Sequence, residues 1–76
     1  MNASTVTLDG LVGRRVKSLM DFSGIPRGTV GLVKSHYKDG PHEGVMVEWT
    51  TTSGTLLQDG FGRDDEFDET QWLEVL

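Results

Sequence analysis

Four side chains between residues 36 and 43 have the types that bind metal ions. Imidazole and carboxylate groups occur at His36, Asp39, His42 and Glu43. Their spacing matches no established ligand signature, and the Gly-Pro step at 40–41 stiffens the turn between the two histidines. The same residues are typical of a solvated hairpin tip. We therefore expect no metal at this position.

A second group of carboxylates lies between residues 64 and 69, where calcium could be considered. An EF-hand loop needs ligands at alternating positions, a central glycine and a terminal glutamate, and this stretch lacks that arrangement. Five acidic residues so close together are typical of a solvated acidic turn. We expect neither calcium nor any cofactor.

Nucleophilic catalysis has little support in the sequence. Ser35 and His36 are adjacent, and in a strand adjacent side chains point to opposite faces. The chain contains no Gly-x-Ser-x-Gly elbow, phosphate-binding loop or dinucleotide fingerprint. A chain of 76 residues also has little volume for a catalytic pocket. The sequence therefore predicts a protein that is not an enzyme.

Length and composition predict one domain spanning residues 1–76, of which residues 1–10 could be flexible. The chain has no cysteine, which excludes a disulfide scaffold and a thiolate zinc site. Its apolar runs are only two or three residues long, so no membrane span is expected. The first eleven residues contain no Lys or Arg and no apolar core of a signal peptide. We expect a cytoplasmic protein with no membrane partner.

The elements that must position these residues are short β-strands. Ten glycines separate short β-branched segments, and no stretch has the apolar spacing of a long amphipathic helix. The predicted strands cover residues 14–20, 29–36, 45–50, 55–58 and 72–76. A loop is expected at 21–28, a hairpin around 37–44, a turn at Ser53-Gly54 and one helical turn within 64–69. The predicted fold is all-β: a small SH3-like five-stranded barrel with that helical turn before the last strand, since an open sheet would leave an unpaired edge.

Two glycines and their neighbours form a recognisable pattern. We expect Gly28 to need a positive φ or a close backbone approach, and Gly31 to mark a bulge or sharp coil within a strand. Arg27, Gly28, Gly31 and Val33 have the spacing of the KOW motif, which occurs in NusG-type transcription factors and some ribosomal proteins. Residues 13–16 are similar to its opening strand, so the resemblance covers residues 13–34. It implies an SH3-like barrel that binds RNA or a protein through its loops.

Charge is divided unevenly along the chain. Residues 1–38 carry six basic and two acidic side chains, or +4, whereas residues 39–76 carry ten acidic side chains and one basic, or −9. The two halves of so small a domain lie within a few Debye lengths of each other, each about 8 Å at physiological salt. The acidic half therefore weakens any affinity of the basic half for phosphates. A dedicated nucleic-acid binder is expected to be basic overall, and the net charge here is −5.

The first functional hypothesis is a non-enzymatic interaction module that binds a protein partner or basic peptide through its loops and an acidic face. An exposed aromatic flanked by carboxylates would suit such a peptide. An alternative for the aromatic residues is that Trp49 and Phe67 are core and Trp72 half-covers the barrel mouth. The residues expected on the binding face are Asp59, Phe61, Asp64, Asp65, Phe67 and Trp72.

The second hypothesis is a KOW-like RNA-binding module associated with the ribosome or with transcription. Basic side chains would contact phosphates, and the affinity would fall steeply with salt. The residues expected at this interface are Arg14, Arg15, Lys17, Arg27 and Lys34. A third, weaker possibility is an accessory subunit of a larger enzyme complex.

Overall fold

A computed structural model describes residues 1–22 and 24–76 of the chain. Five antiparallel strands form a single sheet, and no helix among the described residues is long and apolar enough to cross a membrane. The strands are β1 (Arg15–Ser18), β2 (Val30–Asp39), β3 (His42–Thr50), β4 (Leu56–Gly62) and β5 (Leu73–Val75). The mostly β architecture and the five strands expected from the sequence are confirmed.

The sheet is open, in the order β4-β3-β2-β1-β5, so the closed barrel predicted from the sequence is not found. The edge strands β4 and β5 do not pair with each other in the described part of the chain. Instead, a 3₁₀ helix, Glu69–Trp72, contacts both of them. Side-chain packing against this helix thus covers a gap that backbone pairing would have closed in a barrel.

The hairpin between β2 and β3 is longer than predicted because its turn is only two residues, Gly40 and Pro41. Asp39 pairs with His42, and the ladder continues through the segment that was expected to be loop. Gly40 has a φ of 60°, and a positive φ at the first of two central residues is typical of a type II′ turn. Pro41 lies in the turn itself, where its missing N–H costs no ladder bond.

The strand β4 extends to Gly62, although the sequence predicts a break after Gln58. Gly60 and Gly62 pair with Met46 and Gly44 of β3 as ordinary ladder residues. A Cβ at Gly60 or Gly62 would be only in ordinary contact with Tyr37, at 3.5 and 3.7 Å, whereas a Cβ at Gly44 of β3 would clash with the Tyr37 ring. Gly60 and Gly62 therefore continue the strand instead of ending it, and Gly44 is the glycine that admits the Tyr37 ring.

Helical structure in the described part of the chain is limited to three short 3₁₀ helices. Two of them, Ala3–Thr5 and Asp9–Leu11, precede β1, and residues Ala3 and Leu8 of this N-terminal region are buried in the core. The third, Glu69–Trp72, lies directly before β5 as expected, but starts at the end of the predicted 64–69 segment. Its position is set by Asp68, whose side chain accepts a hydrogen bond from the Thr70 N–H and caps the helix.

The core is built around Trp49, which is fully buried. The alternative that places this residue in the core is confirmed. Gly31 of β2 lies opposite Trp49 in the ladder, and the indole ring occupies the place of the missing side chain. We predicted a bulge at Gly31, but the register of β2 shifts between Val33 and Ser35 instead. Gly28 has the positive φ expected of it, 91°. The buried hydrophobic residues are Ala3, Leu8, Leu11, Val16, Ile25, Val33, Val45, Val47, Trp49, Phe61, Leu73 and Val75.

Candidate functional site

The first candidate surface is formed by residues 64–67, called here the acidic turn. One carboxylate oxygen of Asp64 accepts hydrogen bonds from the backbone N–H groups of Glu66 (2.8 Å) and Phe67 (2.7 Å). The Asp64 N–H in turn donates to the Phe67 carbonyl at 2.8 Å. An Asp side chain replaces a backbone acceptor in this way, and these bonds hold the turn in the described conformation without a partner.

Phe67 is 49% exposed at the end of the acidic turn, so the interpretation of this ring as core is wrong. Its inner edge packs against half-buried Trp72 in a T-shaped contact, with ring centroids 5.4 Å apart. Trp72 packs in turn against Phe22, at 5.9 Å. The aromatic chain anchors Phe67 on one side and leaves its other side in solvent, where a partner can reach it.

Carboxylates flank this exposed ring in the sequence. Asp65 and Glu66 are exposed, and their side chains make no hydrogen bond or ion pair with the described residues. Asp68, two positions beyond Glu66, is instead neutralised by Arg63 at 3.0 Å. The turn itself therefore carries two carboxylates that are free to meet a partner.

Two of the residues predicted for this surface do not belong to it. Phe61 is only 3% exposed and packs edge-on against Trp49 in the core, so it cannot contact a partner. It is buried because β4 continues past Gln58 and places Phe61 opposite Val45, another core residue. Asp59 is half-buried within β4, away from the turn. The structure keeps Asp64, Asp65, Phe67 and Trp72 together.

Sequence reasoning missed the role of Arg63, the only basic residue of the second half of the chain. Its guanidinium donates hydrogen bonds to the carbonyls of Val6 (2.8 Å) and Ala3 (3.2 Å) and to the Thr70 hydroxyl (2.7 Å). Its Nε makes an ionic contact with Asp68, too bent to count as a hydrogen bond. Arg63 thus ties the N-terminal segment to the base of the acidic turn. Its isolation among ten carboxylates was the signal that could have found it.

A second surface is an open groove of about 920 Å³ between the β1–β2 loop and the β3–β4 turn, called here the arginine groove. Arg15 and Arg27 line it, and neither is in an ion pair with the described residues. No carboxylate is among the described residues of its wall. The remaining lining residues are Gly24, Pro26, Gly28, Thr29, Val30, Thr50, Thr51, Thr52, Ser53, Thr55 and Leu57.

Both walls of the arginine groove are held by local hydrogen bonds. On one side, the Gly28 N–H donates to the Ser18 carbonyl and the Arg27 N–H to the Asp21 carboxylate, each at 2.8 Å. On the other side, the hydroxyls of residues 51, 53 and 55 bond to one another and to the turn backbone. The groove is consequently formed before a ligand binds, with positive charge and hydroxyl groups facing it.

The five residues predicted to contact RNA are not all found together. Arg15 and Arg27 meet in the arginine groove. Lys17 lies 3.9 Å from the Glu74 carboxylate, which offsets its charge. Arg14 and Lys34 are exposed. They lie near each other because the N–H of Val33, the residue before Lys34, donates a hydrogen bond to the Arg14 carbonyl.

The residues considered as metal ligands form a simple pair instead. His36 Nε2 lies 2.8 Å from Glu43 Oε2 across the β2–β3 hairpin. Asp39 and His42 are the last ladder pair before the turn, at its exposed end. The described residues contain no group of three or more His, Cys, Asp or Glu that could hold a metal ion.

Comparison with known proteins does not identify this arrangement. The chain matches no family model, no curated protein sequence and no solved structure. The resemblance of residues 13–34 to the KOW motif therefore stays a prediction from those residues. Function has to be inferred from the acidic turn and the arginine groove.

Proposed function

We propose that this protein is a non-enzymatic interaction module that binds a basic protein segment through its acidic turn. The observation that carries the proposal is Phe67, an exposed ring held by a hydrogen-bonded turn that also bears the unpaired carboxylates of Asp65 and Glu66. Large exposed aromatics are the usual anchors of protein interfaces, while nearby charges select the partner and raise the association rate.

A basic peptide would use both parts of this surface. A Lys or Arg of the partner would place its cationic group over the free face of Phe67, a contact worth about 0.5–1 kcal/mol at an exposed site. Further basic residues would pair with Asp65 and Glu66, which adds little affinity in water but fixes the sign of the partner. Because the turn is already ordered, binding does not have to order it first.

The proposal includes an SH3-like arrangement of the strands. It also includes a location of the protein in the cytoplasm. Successive strands are neighbours from β1 to β4, and the last strand returns to pair with β1 after a 3₁₀ helix. This order supports the architecture that the KOW resemblance implies. It places the loops, rather than a deep cavity, in contact with solvent, and loops on a rigid scaffold are common binding sites.

The experiment is a titration of ¹⁵N-labelled protein with a Lys/Arg-rich peptide up to about 1 mM, a concentration that detects affinities near −4 kcal/mol. Chemical-shift changes are expected at residues 64–67 and at the Trp72 indole. Phe67→Ala should weaken binding about two- to fivefold, since the lost contact is worth about 0.5–1 kcal/mol. The matched control is Leu56→Ala, which removes a side chain that is 59% exposed but lies at the start of β4.

Two results would contradict this function. One is the absence of shift changes at the acidic turn with about 1 mM peptide. The other is an equal loss of binding in the Phe67→Ala and Leu56→Ala variants, which would mean that exposed apolar area in general, not this ring, holds the peptide.

A second candidate function, KOW-like RNA binding, is favoured by the arginine groove. Neither of its two arginines is in an ion pair with the described residues, although the Asp21 carboxylate accepts the Arg27 backbone N–H and Glu48 lies with Arg15 in an adjoining depression. Fluorescence anisotropy with a single-stranded RNA at about 50 mM salt would detect such binding, which should weaken steeply as salt rises. Binding that is unchanged in an Arg15→Gln, Arg27→Gln variant would exclude the groove as the RNA site.

A further inference from the structure

The acidic turn and the arginine groove have opposite charge and are both pre-formed. The turn offers the carboxylates of Asp65 and Glu66 beside an exposed ring. The groove offers Arg15 and Arg27, without an ion-pair partner among the described residues. Each surface therefore has the chemistry that the other lacks.

These two surfaces cannot meet within one molecule. Leu57, near the start of β4, lines the groove, whereas Gly62, at the end of β4, lines a depression shared with the acidic turn. Five residues of extended strand separate them by about 17 Å. The chain is also rigidly paired between these points, because β4 is hydrogen-bonded to β3 along its whole length. Only a second molecule can bring the turn to the groove.

We propose that the acidic turn of one copy of this chain docks in the arginine groove of a second copy, head to tail. The proposal rests on the proposed function, since it uses the same binding turn, and it names the basic partner as this protein itself. The apolar contact would be made by Phe67 against the half-exposed groove residues Val30 and Leu57. The hydroxyl groups of the groove would accept or donate the remaining hydrogen bonds.

The arrangement has a definite consequence for assembly. In the head-to-tail arrangement, two neighbouring copies share a single turn–groove contact, so the contact is heterologous, and a bound pair still has one free turn on one copy and one free groove on the other. Such contacts build open chains or rings rather than a closed two-fold dimer. One turn in one groove is a small contact, and small contacts are weak and transient. Association should therefore depend strongly on protein concentration.

The test is sedimentation equilibrium of the full chain, from about 20 µM to about 2 mM, the range that covers weak contacts. The wild-type mass average is expected to rise from 8.4 kDa for the monomer to beyond the dimer value. A groove variant, Arg15→Gln with Arg27→Gln, and a turn variant, Glu66→Gln with Phe67→Ala, should each stay monomeric. Neutral replacements are chosen so that no new pair of opposite charges is created.

Mixing the two variants gives the decisive measurement. The groove variant retains its turn and the turn variant retains its groove, so an equimolar mixture should form a one-to-one complex and stop there. Its mass average should not exceed about 17 kDa, twice that of one chain. The matched control, Arg14→Gln with Lys34→Gln, removes the same charge outside the groove and should associate like the wild type.

The other outcomes overturn the proposal in distinguishable ways. A wild type that stays monomeric at about 2 mM but binds the basic peptide refutes self-docking and leaves the proposed function standing. A monomer that also ignores the peptide refutes both. Association that survives in the groove or turn variant shows a different interface. A monomer whose groove binds RNA, with loss of that binding in the groove variant, assigns the groove to nucleic acid.

Discussion

Replacing Gly31 with alanine tests the packing that organises the core. A Cβ added at this position would lie 2.6 Å from Cε3 of Trp49, 2.9 Å from the Glu48 carbonyl oxygen and 2.9 Å from Cγ1 of Val47. None of these atoms can easily move, because the indole and Val47 are fully buried and the carbonyl belongs to the ladder backbone. The sheet or the indole would have to shift to admit one methyl group.

The expected cost follows from these contacts. Overpacking a dense core costs about 1–3 kcal/mol, and three close contacts with immobile atoms place this site in the upper part of that range. Alanine recovers about 0.5–1 kcal/mol relative to glycine by restricting the unfolded chain. The net loss should be about 2 kcal/mol, or about 8–16 °C in melting temperature for a domain of this size.

Urea unfolding followed by tryptophan fluorescence would measure this loss. The matched control is Gly60→Ala, also in a strand, where the nearest atom to a new Cβ is the flexible Met46 sulfur at 3.4 Å. That variant should stay within about 0.5 kcal/mol of the wild type. If Gly31→Ala unfolds at the same urea concentration as Gly60→Ala, the placement of the indole over Gly31 is wrong. In a Trp49→Leu background the same substitution should cost less, since the two residues are in contact.

Two further substitutions have defined expectations. Arg63→Gln should lower the free energy of unfolding by about 2 kcal/mol, because it breaks the contact with Asp68 and removes the donor of the half-buried Val6 carbonyl, whereas the Ala3 carbonyl keeps the Val6 N–H; Arg63→Lys should be intermediate. Urea unfolding would show this, and equal stability of all three proteins would refute the role. Gly40 and Gly54 have φ of 60° and 84° with open space around both, so Gly40→Ala and Gly54→Ala should each lower the free energy of unfolding by about 1 kcal/mol from backbone strain alone. Thermal melts should show similar losses of stability for the two variants. A much larger loss at one position would mean a side-chain clash there.

Much of the sheet could be predicted because strand formation leaves a local pattern. Alternation of Val45, Val47 and Trp49 identifies the buried face of β3, and each predicted strand overlaps an observed one. The positive φ of Gly28 was also predictable, since only the residue and its immediate neighbours determine it. The errors were at strand ends, where glycines were interpreted as breaks although the ladder continues through Gly44, Gly60 and Gly62.

The candidate site was less predictable because it depends on contacts between distant residues. The sequence alone marked the second half as acidic and rich in aromatics, yet Phe61 and Phe67 look equivalent there. Only the extension of β4 buries the first, and only the Asp64-capped turn exposes the second. The same holds for Arg63, whose carbonyl acceptors are 57 and 60 residues away.

Local propensity and alternation thus determined the all-β class, the number of strands and the charge division of this protein. The tertiary structure decided that the sheet stays open, which ring is exposed and which two of the basic residues share a groove. The physical reason is that propensity acts over a few neighbouring residues. The burial of a side chain and the charged groups near it depend instead on which strands pair and which loops meet across the fold.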